Sequence, residues 1–284
     1  MVRPVGVGAV RVSAVVLTWN SARSVGQALA ALRRQDGLLP LELVVVDNGS
    51  VDDSPDIARQ YAPALVIENP RNLGVARARN QGLRAAHGDY VLLLDSDAVM
   101  APGSLQALVE FLDLHPRAGV VGPMLVAPDG TLQYSCRRFP TLAGKLLRQL
   151  PASWPARAKL VVDEEMRGLD RSRPQAVDYV IGACQLIRRS TLDAVGLLDE
   201  RMFYGPEDVD FCLRAWQAGW EVWYVPAAVV VHDEQRVTRR RPGMLTVRHG
   251  LALAYYFWKH RYLWRRPAVG VRAVTATPGE EGTA

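Results

Sequence analysis

Apolar runs broken by short polar stretches divide the first hundred residues into a regular alternation. Val12 to Thr18 (VSAVVLT) is valine-rich and stops at Asn20 and Ser21, which predicts a first strand. Val25, Leu29 and Leu32 then recur at helical spacing and predict a helix over Val25 to Arg34. Leu41 to Val46 predicts a second strand that runs into DNGSVDDS, where Asn48-Gly49 signals a turn. Leu65 to Glu68 predicts a short third strand, Val75 to His87 a helix after NPRNLG, and the run ending in LLLDSDAVM a fourth strand. Apolar runs without polar alternation suit parallel strands covered on both faces. The β-α-β-α-β-α-β order predicts an α/β fold with a doubly wound, mostly parallel central sheet flanked by helices.

The second half has a different texture. Val120 to Val126 and Leu132 to Arg137 flank the turn at Pro128 to Gly130 and predict a hairpin. Phe139 to Pro174 is basic, proline-bearing and weakly periodic. Val177 to Arg188 predicts a strand, Pro206 to Ala218 a helix, Trp220 to Val225 a strand, and Met244 to Trp264 a last helix.

Composition narrows the classes. With 284 residues, 49% hydrophobic and 22% charged, the chain reads as an ordinary globular protein with a sizeable core. No stretch has the uncharged apolar length of a membrane span, and MVRPVGVGAVRV lacks a signal-peptide h-region, so a cytoplasmic location is expected. Cys136, Cys184 and Cys212 are odd in number, far apart and without C-x-x-C spacing, which predicts reduced structural thiols. The net charge of +5 gathers toward the C-terminal end and suggests an anionic partner there, with nothing that points to nucleic acid.

Candidate chemistry clusters where strands end, which is where open α/β sheets bind ligands. Asp95 and Asp97 close the fourth strand as D-x-D, a pairing that suits Mg²⁺ or Mn²⁺ beside a diphosphate. Asp47 closes the second strand and could accept the ring N–H of uracil or thymine, or simply bond its own loop amides. Thr18, Trp19 and Asn20 close the first, and the indole of Trp19 offers either core packing or a stacking face for a base. In NLGVARARNQG, Asn72, Gly74, Arg77, Arg79 and Asn80 sit at a predicted helix N-terminus, a natural anion site. Arg79 is favoured there, to neutralise a phosphate or to orient the D-x-D acids, while Arg77 and Arg84 read as solvated. Glu207, Asp208 and Asp210 crowd the first turn of the helix in YGPEDVDFCLRAWQAG. Acids are ordinary at helix starts, yet three so close raise at least one pKa toward that of a useful base. His232 ends the run VVVH and suits a divalent-metal ligand or a structural histidine. Arg236, Arg239, Arg240 and Arg241 follow as a basic loop. The stretch LALAYYFWKHRYLWRR mixes aromatic and basic side chains, fitting either a membrane interface or a packed helix.

Together LTWN, VVVDNGS, NLGVARARNQG, LLLDSD, GPEDVDFCLRAWQAG and the later histidine resemble glycosyltransferase family 2, the inverting GT-A enzymes, over about Val12 to His232. Within that family the DGT turn at Asp129 and the GAC…RRS…LDERMF…EDVD stretch are most similar to bacterial rhamnosyltransferase-like members. The resemblance implies a GT-A fold with a C-terminal acceptor-side helical extension. It implies a nucleoside-diphosphate sugar donor, UDP- or dTDP-linked, with dTDP-rhamnose among the options, and a glycan or lipid-linked saccharide acceptor. By the same resemblance Asp47 holds the base, Thr18 and Trp19 line the nucleoside pocket, Asp95 faces ribose or metal, and Asp97 and His232 ligate Mg²⁺ or Mn²⁺. Asp208 is then the catalytic base, with Glu207 and Asp210 positioning hydroxyls. This chain keeps both acids of D-x-D where some rhamnosyltransferase-like members lack the first, and has Trp19 where tyrosine is commoner.

One domain over 1–267 is expected: a nucleotide-binding half at about 10–100, an acceptor and catalytic half at 101–235, and a basic aromatic extension at 236–267. Phe139 to Pro174 would be mobile or acceptor-facing, and 268–284 a disordered tail. Peripheral contact with the inner face of a membrane is expected from the extension. Two rivals share the nucleotide-binding sheet: a polyprenyl-phosphate glycosyltransferase, whose anionic acceptor needs no base, and a non-catalytic sugar-nucleotide binder.

Overall fold

The computed structural model describes residues 10–35, 39–62, 64–148, 151, 153–233 and 243–268. Its centre is a sheet in which β3 (Ala64–Glu68), β2 (Leu41–Asp47), β1 (Val12–Thr18) and β4 (Tyr90–Asp95) run parallel. The sheet continues through β11 (Cys184–Arg188), β6 (Ala118–Val126), β12 (Glu221–His232) and β5 (Ala98–Met100). β11 is antiparallel to both neighbours, and β5 to β12, so the sheet is mixed beyond β4. The register sets Thr18 beside Asp47 and Leu17 beside Asp95, which brings three strand ends to one edge.

The uninterrupted apolar runs feed two cores by the period-two alternation of a strand. Val15, Val44, Val46, Val91 and Leu93 face one core, which α3 (Val75–Ala85), α8 (Glu207–Gln217) and α9 (Met244–His260) complete. Val16, Leu43, Val45, Leu92 and Leu94 face the other, with α1 (Val25–Arg33) and α4 (Ser104–Leu114). The short α2 (Ser54–Arg59) and α7 (Arg189–Val195) pack beside them.

Three elements depart from the sequence expectation, each for a physical reason. The expected strand Val177 to Arg188 is broken: β10 (Tyr179–Val180) pairs with β8 (Cys136–Arg137) as a separate ribbon, and only β11 joins the main sheet. The break at 181–183 admits Arg79, and a Cβ on Gly182 would stand 2.7 Å from its Nη1. The hairpin forms between β6 and β7 (Leu132–Gln133), and the chain then leaves the sheet at Cys136. β12 runs seven residues past Val225, because a register shift between Val225 and Val229 carries it across Pro226. Its start pairs with β9 (Gln175–Ala176).

Phe139 to Pro174 carries two helices in its described part. Phe139 is fully buried, and α5 (Leu142–Leu147) packs on α6 (Pro155–Glu164). The buried Glu164 ties them together, accepting from Arg148 Nε at 2.9 Å. The tail from 269 and the basic run Arg236 to Arg241 lie outside the described residues, as does any structure expected of them.

Candidate active site

The ends of β1 and β4, the loop 181–183, the start of α8, His232 and the α5–α6 region enclose a cleft of about 570 Å³, within the size range of small-molecule sites. Asp95, Asp97 and His232 present ligand atoms that all lie within 4.8 Å of one another. His232 Nε2 stands 3.5 Å from Asp97 Oδ1, while Nδ1 is 2.9 Å from Gln133 Oε1. Gln133 Nε2 also donates to the His232 carbonyl at 2.8 Å. An amide oxygen facing Nδ1 makes that nitrogen the donor and leaves Nε2 as the lone-pair atom on the cluster side, the usual arrangement of a metal-ligating histidine. Two carboxylates and one imidazole form a donor set that fits Mg²⁺ or Mn²⁺. Gln133 was not among the residues expected from the sequence: it sits in a two-residue strand with no pattern to single it out.

Arg79 is the centre of the charged floor. It is buried, and it donates to Asp95 Oδ1 at 2.6 Å, to the Gly182 carbonyl at 2.7 Å and to Glu207 Oε1 at 3.3 Å. Its charge is shared by Asp95 and Glu207. Among the described residues, Arg77 and Arg84 pair with Glu200 at the surface. Burial raises the carboxyl of Asp95 against the pull of Arg79, and Asp97 adds to the rise. Glu207 is pushed up to about 7, first by burial and then by the charge of Asp208, with Arg79 opposing.

The three acids of α8 do not converge. Asp208 lines the cleft, with Oδ2 accepting from Gly182 N at 2.8 Å and Oδ1 from Val209 N at 2.8 Å. Asp210, expected to position hydroxyls, turns the opposite way and is fully buried. It accepts from Arg214 Nε and His260 Nε2 at 2.8 Å each, and Lys259 Nζ lies 2.6 Å away. Burial drives its pKa up, but the bond from His260 and the charges of Arg214 and Lys259 outweigh it and hold the group below the usual carboxylate range. Asp210 therefore pins α9 to α8 and is no part of the cleft.

The strand-end residues also divide. Trp19 is 43% exposed at the cleft, which removes the core-packing reading. Thr18 is fully buried and is not among the residues that line the cleft. Asn20 takes a left-handed conformation and its Oδ1 accepts from Val51 N, joining the first loop to the second. Asn72 Oδ1 accepts from Gly74 N and Asn48 Nδ2. Gly74 itself has φ +92°, and a Cβ there would meet the Phe203 ring at 2.7 Å. Asp47 accepts from Gly49 N at 3.2 Å, Ser50 N at 2.9 Å and Ser50 Oγ at 2.5 Å. These four hold the loops behind the cleft wall rather than lining it. Ser21 and Ser96, which do line it, bond each other at 2.8 Å.

A second charged wall comes from the segment after the hairpin: Arg137, Lys145, Arg148 and Glu165 line the cleft beside Tyr179. From the other side α9 contributes His249. Its opposite face is apolar and open, with Met244, Val247, Leu251 and Trp258 between 57% and 72% exposed. Among the described residues, no helix is long and apolar enough to cross a membrane.

Comparison with known proteins agrees with this geometry. A family model described as Glycosyl transferase family 2 matches residues 13–196. An N-acetylglucosaminyl-diphospho-decaprenol L-rhamnosyltransferase of Mycobacterium tuberculosis is 34% identical over 242 residues, 80% of this chain and 78% of that protein. The mannosyltransferase PcManGT of Pyrobaculum calidifontis, solved with GDP-Man and Mn²⁺, superposes with a TM-score of 0.60 at 24% identity, covering 91% of this chain and 66% of that one. GalNAc-T7, solved with UDP, GalNAc and Mn²⁺, gives 0.57 at 19%, covering 79% and 44%. The structural likenesses establish the GT-A fold, and the sequence matches establish the family. With its strand ends, its acid-lined cleft and its sequence all in agreement, the chain belongs to glycosyltransferase family 2 and is a glycosyltransferase.

Proposed function

We propose that the chain is an inverting, divalent-metal-dependent enzyme that transfers a sugar from a UDP- or dTDP-linked donor to a hydroxyl of a glycan or lipid-linked saccharide. The observation that carries this reading is the shared cleft: Asp208 opens into the same space as Asp95, Asp97 and His232. A base has a use there only if the acceptor is a hydroxyl, which favours this reading over transfer to a bare polyprenyl phosphate and over a mere binder.

Asp95, Asp97 and His232 would hold Mg²⁺ or Mn²⁺, which when bound supplies positive charge to the diphosphate leaving group. Arg79 keeps Asp95 in place, and Gln133 fixes the tautomer of His232. Trp19 offers its exposed face to the base. Asp47 keeps one acceptor site beyond its three loop bonds but stands behind the wall, so it would meet the ring N–H of a pyrimidine only if its loop shifts when the donor binds. Asp208, held by the Gly182 amide, takes the proton as the acceptor oxygen attacks the anomeric carbon and the bond to the diphosphate breaks. Attack opposite the leaving group inverts that centre. The name of the mycobacterial relative supports a deoxyhexose donor and a lipid-linked saccharide acceptor.

The open apolar face of α9 is read as a peripheral membrane contact, with exposed Arg261 and Arg265 beside it as partners for anionic headgroups. Co-sedimentation with liposomes, with and without anionic lipid, tests it; no binding in either case rejects it. The nucleotide site is tested by thermal shift with UDP, dTDP, GDP and ADP, each with and without Mn²⁺. Metal-dependent stabilisation by UDP or dTDP that disappears in Asp97→Asn is expected. No shift, or a preference for a purine, refutes the donor assignment.

A further inference from the structure

The cationic wall of the cleft has no task in the chemistry above. Arg137 is delivered to it by the β8–β10 ribbon, where it pairs in register with Tyr179. Its side chain makes one hydrogen bond, from Nε to the Tyr134 carbonyl at 3.3 Å, and among the described residues no carboxylate stands within ion-pair distance of it. The two acids nearby are already engaged. Glu164 takes Arg148 at 2.9 Å and Lys145 at 3.7 Å, and Glu165 takes Arg167 at 2.8 Å. Burial pulls Lys145 below the ordinary lysine value although Glu164 opposes the fall. A partly buried lysine in this state gains from any further anion.

The position of this wall distinguishes it from the metal cluster. α8 packs against β10, the ribbon partner of the strand that carries Arg137, and Asp208 opens from the start of α8 into the cleft that Arg137, Lys145 and Arg148 line, so Arg137 stands on the side of Asp208. That is where the acceptor must enter if its hydroxyl is to meet Asp208. A donor diphosphate is provided for at the sheet edge by Asp95, Asp97 and His232. Cations grouped this way, one of them a guanidinium with unpaired terminal nitrogens, suit phosphate oxygens.

We propose that Arg137, Lys145 and Arg148 form a subsite for the phosphate groups of the acceptor, which is therefore a saccharide carried on a phosphate or diphosphate. This rests on the proposed function and adds a second anion site to it, distinct from that of the donor. The segment from Arg137 onward is then the part of the chain that selects phospho-linked acceptors over free glycans.

Isothermal titration of the full chain, with UDP or dTDP and Mn²⁺ present, tests this with two synthetic probes. One is a short-chain alkyl diphospho-N-acetylglucosamine; the other is the same alkyl N-acetylglucosaminide without phosphates. The expected result is that the wild-type chain binds the diphosphate probe at least about tenfold tighter, the scale of one charge-assisted hydrogen bond. Arg137→Gln should erase that preference, Arg137→Lys should recover part of it, and the milder Lys145→Gln should reduce it. The nucleotide-dependent thermal shift should stay as in wild type for all three. Equal binding of the two probes by wild type, or an undiminished preference in Arg137→Gln, overturns the subsite. So does loss of the nucleotide shift with probe binding intact, which would assign these cations to the donor. The proposed donor reading is judged separately, because it fails when wild type shows no nucleotide shift or prefers a purine.

Discussion

Two pairs of aspartates in this chain have the same spacing and opposite fates. Asp95 and Asp97 come together in one cluster with His232, whereas Asp208 and Asp210 point to opposite sides of α8. The difference lies in the element beneath each pair. Asp95 ends β4 and Asp97 stands in the turn that follows, which folds the two carboxylates back together, while in a helix two steps of about 100° place them roughly 200° apart. A D-x-D in the sequence therefore states a shared site only once the element beneath it is known. The crowding of three acids at the start of α8 is resolved the same way: Glu207 joins Arg79, Asp208 enters the cleft, and Asp210 enters the core.

The comparison can be broken most directly at Asp208. Asp208→Asn is expected to lower kcat by about 10²–10⁴, the range of general-base contributions, with nucleotide-dependent stabilisation intact. Turnover within a fewfold of wild type would remove its assignment as base. Asp210→Asn should do the converse, lowering unfolding stability by about 3–5 kcal/mol because Arg214, Lys259 and His260 lose a buried counter-charge. Urea titration measures it, and turnover per folded molecule should hold. If activity fell while stability did not, Asp210 would belong to the cleft after all.

Smaller effects sharpen the same contrast. Gln133→Ala should weaken metal affinity about 10–100-fold, as loss of a partner orienting a ligand does, read as the Mn²⁺ concentration needed for the UDP or dTDP thermal shift. Glu207→Gln should change the pH profile of stability. The native carboxyl holds its proton to about 7, against 4.5 for the free group, so between those values the native state binds more protons than the unfolded state. Stability from this group is thus full below about pH 4.5 and lost as pH rises toward 7. The variant should lack that decline in a series of melting curves, and parallel profiles for the two proteins would place the raised pKa elsewhere.

Sequence pattern carried the parallel half of the sheet and its strand ends, because apolar runs that stop at acids are local signals. Asp95 and Asp97 were legible for that reason. His232 was legible as a residue from its apolar run, but as a neighbour of Asp97 only through the family resemblance, since the two are brought together by the pairing of β12 with β5. Gln133 and Arg137 were illegible because two-residue strands have no periodicity, and their placement depends on where the chain leaves β6 and joins β10. Arg137 also shows how a break in one element builds a site in another: the interruption of the strand at Gly182 seats Arg79, frees the amide that holds Asp208, and leaves Tyr179 to pair with Arg137.

The tie at Asp210 has a consequence for reach. His249 and Trp258 belong to the same helix, nine residues apart, which is half a rotation in azimuth and about 14 Å along the axis. His249 lines the cleft and Trp258 stands open on the far side. Because Lys259 and His260 lock that helix onto α8 through Asp210, the helix cannot roll independently of the base. If the proposed surface contact falls at Trp258, it would set both the height and the tilt of Asp208 above it, and the helix would serve as a ruler between the anchoring point and the proposed base.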